Sequence, residues 1–189
     1  MTTRENLISQ LRAYSAFNPH EETMRVRILA FVEQHPDCFE RSLLIGHVTA
    51  SAWVLSQDRK ETLLVHHARL DKWLQPGGHC DGNPDVLGSA MREVLEETGV
   101  AAVPAGSGIF DVDAHDIPAR KKEPAHVHYD VRFLLVADRA IPLVVSEESR
   151  DVAWVPLDEV RLLNTDQSVL RLVEKTQQGG SGAGDGPVE

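Results

Sequence analysis

Residues 91–100, MREVLEETGV, close a helix that works against its own electrostatics. Asn83-Pro84 predicts the start: Asn is a favoured N-cap, and proline is tolerated at the first helical position, whose N–H lacks an intrahelical partner. From there Val86, Leu87, Ala90, Met91, Val94 and Leu95 recur at helical spacing and form one apolar stripe to be buried. Gly99 fits the left-handed residue that ends a helix. Glu93, Glu96 and Glu97 stand at i, i+3 and i+4, so their carboxylates share a second face. Each like-charge pair costs about 0.2–0.5 kcal/mol, and each exposed acid in the last turn opposes the helix dipole by about 0.3–1 kcal/mol. A solvated charged face is the plain explanation. A hard divalent cation is the other, because Mg²⁺ takes carboxylate oxygens together with waters and substrate phosphates. Arg92 is the cation placed to orient such a cluster.

The rest of the chain narrows the classes of protein that could carry this helix. Its 189 residues suffice for one domain with a full core and an appendage. A net charge of −10 argues against a nucleic-acid polymer as partner, but not against a small phosphorylated substrate held through a metal. MTTRENLISQLR has no apolar signal core, and no run approaches the ~20 apolar residues of a membrane span. Cys38 and Cys80 form no disulfide framework, so a cytoplasmic protein with no membrane partner is expected. Cys80, between His79 and Asp81, reads as a packed thiol more than as a ligand or nucleophile.

Along the chain, Leu7, Ile8, Leu11 and Tyr14 predict a first helix. Asn18-Pro19 caps a second, with Glu21 where a capping box wants it, and His35-Pro36 ends it. Residues 1–42 thus form a helical N-terminal extension, a lid or brace over one flank of a domain spanning 43–176. Strands are expected at 45–56, 62–68, 126–137 and 152–157, with a loop around Pro76, Gly77 and Gly78. Residues 101–124 read as long and less regular. In 126–137, Val127, Tyr129, Val131 and Phe133 alternate with His126, His128, Asp130 and Arg132. LDEVRLL predicts a short helix, DQSVLRLVEKTQQ a last one capped by Asp166, and residues 177–189 a flexible tail. Strands interleaved with helices give an α/β or α+β sandwich with a mixed sheet.

At residues 77–100, GGHCDGNPDVLGSAMREVLEETGV, the chain resembles the Nudix (MutT-like) hydrolase signature, G-x5-E-x7-R-E-U-x-E-E-x-G-U, where U is apolar. Gly78 takes the first glycine, and Arg92, Glu93, Val94, Glu96, Glu97, Gly99 and Val100 take the last block in register. WLQPGGH before it and DVAWVPLDEV after it also look like the family. One position departs: Pro84 stands where the signature has its first glutamate, with Asp85 one residue out of register.

The resemblance implies an α/β/α sandwich and cleavage of a diphosphate joined to another group X, with Mg²⁺ or Mn²⁺. It implies that Glu96, Glu97 and the Gly77 carbonyl hold metal, that Glu93 is a further ligand or a base, and that Arg92 holds Glu93 in place. Gly77 and Gly78 suit a loop where backbone approaches a phosphate or metal closely. A general base often comes from a later loop in the family; Glu147 and Glu148 occupy that place, with Glu148 favoured. The substrate would be small, phosphorylated and nucleotide-derived; a homodimer is left open. Pro84 keeps a second class in view, a non-catalytic ligand-binding or sensor module. An isomerase of prenyl diphosphates on the same fold fits poorly, since it lacks the full signature.

His126 and His128 share one strand face, with Asp113 and His115 before them: a second metal or the X group could sit there, or they are polar residues on the open face of a half-buried sheet. Arg120, Lys121 and Lys122 could attract phosphate or be a solvated loop. Trp73 could stack on a base or cap the core. His66 and His67 suggest no function.

Overall fold

The computed structural model describes residues 3–120 and 124–180. Lys121, Lys122 and residues 181–189 of the expected tail lie outside them. Two helices, α1 (Thr3–Ala13) and α2 (Pro19–Gln34), precede seven strands. These are β1 (Gly46–Ser56), β2 (Glu61–His67), β3 (Lys72–Leu74), β4 (Gly77–His79), β5 (Ala102–Ile117), β6 (His126–Ala137) and β7 (Ser149–Pro156). Helix α3 (Val86–Thr98) follows β4, and α4 (Gln167–Gly180) ends the described chain after a 3₁₀ turn at Val160–Leu162.

The sheet runs β3-β2-β1-β6-β5, with β4 on β1 and β7 on β2. Only the β1–β6 pairing is parallel among the described strands, so the sheet is mixed. β1 is buried on both faces along its whole length. Val48, Ala50, Ala52 and Val54 pack with Leu7 and Leu11 of α1, Ile28, Phe31 and Val32 of α2, and Val86, Ala90 and Val94 of α3. Trp53 and Leu55, on the opposite face, pack with Val169, Leu172 and Val173 of α4. The result is an α/β/α sandwich whose N-terminal helices share the main core rather than lying on it as a detachable lid.

Local signals place several ends well. Asn18 Oδ1 accepts from Glu21 N–H at 2.9 Å, and Pro19 opens α2. The Glu21 carboxylate reaches back to Phe17 N–H, one residue short of a standard capping box, and is fully buried. Asp166 caps α4 through Val169 N–H at 3.2 Å.

Three expectations need correction. The cap of α3 is Asp85, not Asn83: Asp85 Oδ1 accepts from Gly88 N–H at 3.0 Å. Asn83 spends its side chain on Asp85 N–H at 3.0 Å, an Asx turn that carries the chain through Pro84 into the helix. Leu95 is 51% exposed, because the helix turns it away from the sheet while Val94 meets the core. The irregular segment is the long strand β5, whose register shifts between Pro104 and Ile109 and again before Asp111. Bulges absorb its Pro and Gly residues, which hid the strand pattern.

Candidate active site

The αL turn at Gly99 (φ 74°) closes α3 with its acidic end beside β4. There, Gly77 N–H donates to Glu97 Oε2 at 2.9 Å. Arg92 joins the two elements, donating to the His79 carbonyl at 2.8 Å and to Glu96 at 3.0 Å, and lying 2.9 Å from Glu93 Oε1. A Cβ on Gly77 would overlap the Ser51 side chain and stand 2.7 Å from its Cα, and one on Gly78 would meet the Glu93 carboxylate.

Burial pushes the Glu97 carboxyl up to about 7; the Gly77 N–H opposes this, while Glu93, Glu148 and Glu96 add to it. Glu93 is also raised, first by burial, against Arg92 and with Glu96, Asp81 and Glu148 reinforcing it. Two half-buried carboxyls that oppose each other's ionisation are a donor set suited to a hard divalent cation. Glu96 projects outward, its side chain 57% exposed. Glu148 is exposed; its carbonyl accepts from Ala68 N–H at 3.0 Å and its charge acts on both Glu93 and Glu97. Glu147 is exposed too.

The histidines fall differently from the grouping suggested by sequence. His126 and His128 meet His47 of β1, and among the described residues these three offer ligand atoms within 4.8 Å of one another. His47 was missed because nothing in IGHVTASAWVLS marks it as more than a strand residue. Asp113 and His115 belong instead to a buried ionic network around Arg132. Arg132 also pairs with Asp130 at 2.7 Å and Asp111 at 3.1 Å, and Arg171 of α4 closes on Asp111 and Asp113 at 2.9 Å. The polar face of β6 is therefore covered at Asp130 and Arg132, not open, because matched charges let a second layer pack there. Trp73 is partly buried, packed against the core and stacked on His66 with centroids 5.0 Å apart, and Cys80 is a buried thiol. Arg120 is exposed.

A mixed sheet between helix layers, with a glycine strand set against an acidic helix end, is the architecture of Nudix domains. The NUDIX domain model matches residues 46–175, and the chain belongs to this family. A probable DHNTP pyrophosphohydrolase of Lactococcus lactis is 30% identical over 142 residues, 69% of this chain and 78% of that protein. The asymmetrical bis(5'-nucleosyl)-tetraphosphatase of Rattus norvegicus is 29% identical over 99 residues, 50% of this chain and 59% of that protein. Among solved structures, an Ap4A hydrolase of C. elegans aligns over 71% of this chain and 98% of its own, with TM-score 0.56 and 17% identity. The MutT protein of Methanosarcina mazei aligns over 73% and 97%, with TM-score 0.53 and 20% identity. These last two likenesses concern the fold. No helix among the described residues is long and apolar enough to cross a membrane.

Proposed function

We propose that this protein is a Mg²⁺- or Mn²⁺-dependent pyrophosphohydrolase acting on a small nucleotide-derived diphosphate. The observation that carries this reading is Glu97: a carboxyl raised to about 7, bonded to Gly77 N–H, with Glu93 raised beside it. A protein keeps two raised carboxyls side by side where a cation or a proton transfer uses them. Glu93, Glu96, Glu97 and the Gly77 carbonyl are the residues that would hold the metal. Bound there, it would neutralise phosphoryl charge and lower the pKa of a water. Arg92 fixes Glu93 and links it to β4; Gly78 leaves the Glu93 carboxylate its space. Glu148 is our choice of general base, because its charge reaches both glutamates from a separate loop. The partly exposed His126 and His128 lie across β1 from β4 and are the residues we would place near the X group.

The relatives' names denote cleavage of a pterin triphosphate and a dinucleoside tetraphosphate, each a phosphoanhydride chain on an organic group. That shared chemistry supports the substrate class without choosing X. The buried free thiols of Cys38 and Cys80 are in keeping with a cytosolic setting. Pro84 favours a second reading, a ligand-binding module without turnover.

One experiment separates the two. Product release is measured from dinucleoside polyphosphates, pterin and nucleoside triphosphates, ADP-ribose and nucleotide sugars, with Mg²⁺ or Mn²⁺, for the native protein and Glu97→Gln. Metal-dependent turnover that vanishes in the variant is expected. No turnover, with a ligand still raising the melting temperature of both proteins, would overturn the enzyme reading in favour of the binding module.

A further inference from the structure

Beside the glycine strand, four imidazoles converge outside the glutamate cluster. His47 and His128 are register partners in the parallel β1–β6 ladder, so their side chains share one face of adjacent strands. His126 lies two residues along β6, and His79 ends β4, which pairs with β1. Ring centroids are 4.9 Å apart for His47–His128, 4.9 Å for His126–His128 and 5.3 Å for His47–His126. His79 flanks the group at 5.1 Å from both His47 and His128.

The details are those of a ligand set. His126 Nδ1 stands 2.9 Å from the Pro124 carbonyl, which assigns the proton to Nδ1 and leaves a lone pair on Nε2. A backbone carbonyl holding the far nitrogen is the usual support of a metal-binding histidine. That Nε2 is 3.1 Å from His128 Nε2. Two nitrogens on a tetrahedral zinc are about 3.3 Å apart, given bonds of about 2.0–2.1 Å. A shared proton would satisfy the His126–His128 pair alone, but it does nothing for His47. That ring is 3% exposed, and no well-formed hydrogen bond reaches either of its nitrogens, the Leu43 carbonyl acting on it only weakly. Each buried polar atom left so costs about 1–3 kcal/mol.

We propose that His47, His126 and His128 form a site for a borderline transition-metal ion of the Zn²⁺ class, separate from the glutamate cluster. Imidazoles suit such ions, whereas Mg²⁺ selects oxygen. Three protein ligands leave a coordination position open, as zinc sites that take a water or substrate do. The site does not depend on the role of Glu93, Glu96 or Glu97.

The test uses tag-free, metal-free full-length protein in excess Mg²⁺, titrated with Co²⁺ and followed by its visible absorption, then displaced by Zn²⁺. One ion per chain with an intense low-symmetry band is expected. It should persist in Glu97→Gln and weaken about tenfold or more in His126→Ala, whose ring is only partly buried. Imidazole ¹⁵N spectra of the unmodified protein give an answer independent of folding in the variant: Zn²⁺ should move His47, His126 and His128. Binding that is absent, unchanged in His126→Ala, or lost in Glu97→Gln overturns the proposal, as does movement of other histidines instead.

Discussion

Gly78 and the Glu93 carboxylate adjoin with no room for a methyl group between them: a Cβ on Gly78 would stand 2.5 Å from Oε2 and 2.6 Å from Cδ. The obstructing atoms end a flexible side chain, so Gly78→Ala should leave the fold intact and push Glu93 aside. We expect kcat/KM to fall on the order of 10²-fold, as for a catalytic group misplaced by an ångström. Thermal melting should stay close to native. Gly77→Ala meets Ser51 backbone instead and should destabilise the fold by about 1–3 kcal/mol.

Glu97 predicts an unusual pH dependence without metal. Its folded value, about 7, lies above the unfolded 4.5, so the folded state holds the proton more tightly. Stability from this group is therefore present below the unfolded value and lost as pH rises through 7. At pH 8 the cost approaches about 3 kcal/mol, each unit being worth about 1.4 kcal/mol. In chelator, Glu97→Gln should melt higher than native at pH 8 and level with it near pH 4.5. Mg²⁺ should raise the native melting temperature at pH 8 and release protons on binding near pH 7, measurable by calorimetry in buffers of different ionisation enthalpy.

Asp111 is fully buried and accepts from Arg132, Arg171 and Lys175 at 2.9–3.1 Å. Burial alone would raise its carboxyl; the Arg171 hydrogen bonds and the Arg132 and Lys175 charges overcome that and hold it well below the usual range. Asp111→Ala takes one buried partner from each of three cations and should cost about 3–5 kcal/mol in urea denaturation at pH 7. A depressed value contributes stability above the unfolded pKa, lost as pH falls through the folded one. The gap between native and variant should therefore narrow below about pH 4.

Glu148 and Glu147 are neighbours with different surroundings, since Glu148 is the one whose charge acts on Glu93 and Glu97. Glu148→Gln should lower kcat about 10²-fold, while Glu147→Gln stays near native. Equal, small effects would leave Glu93 as the base.

The N-terminal helices supply Leu7, Leu11, Ile28, Phe31 and Val32 to the main core, and Lys175 of α4 bonds Glu21 at 2.6 Å and Tyr14 at 2.7 Å. A chain lacking α1 and α2 should fail to give folded protein by near-ultraviolet circular dichroism. A folded, active remainder would show them to be an appendage after all.

Much of this protein is written locally. Asn18-Pro19 and Asp166 announce helix starts and Gly99 a helix end, because a cap needs only residues within one turn. The Arg92–Gly99 spacing sets the acids on one helix face, and β6 alternates as its sequence says. Pro84 misled only by two residues, since Asn83 and Asp85 are both good caps and the Asx turn chose between them.

Contacts between distant residues were not so written. Alternation in β6 says that His128, Asp130 and Arg132 share a face, but whether that face meets water depended on Arg171, far along the chain in α4. His126 and His128 were visible as a pair, yet their partner proved to be His47, joined by a parallel ladder no local pattern encodes. The three glutamates were legible as a cluster, but only packing against β4 decided that Glu97 is buried with a raised pKa while Glu96 faces water. Sequence fixes periodicity, caps and the residue types on each face through short-range sterics and hydrogen bonds. Desolvation and pairing between strands arise only when the chain closes on itself, and those decide which of these carboxyls and imidazoles are buried and which face water.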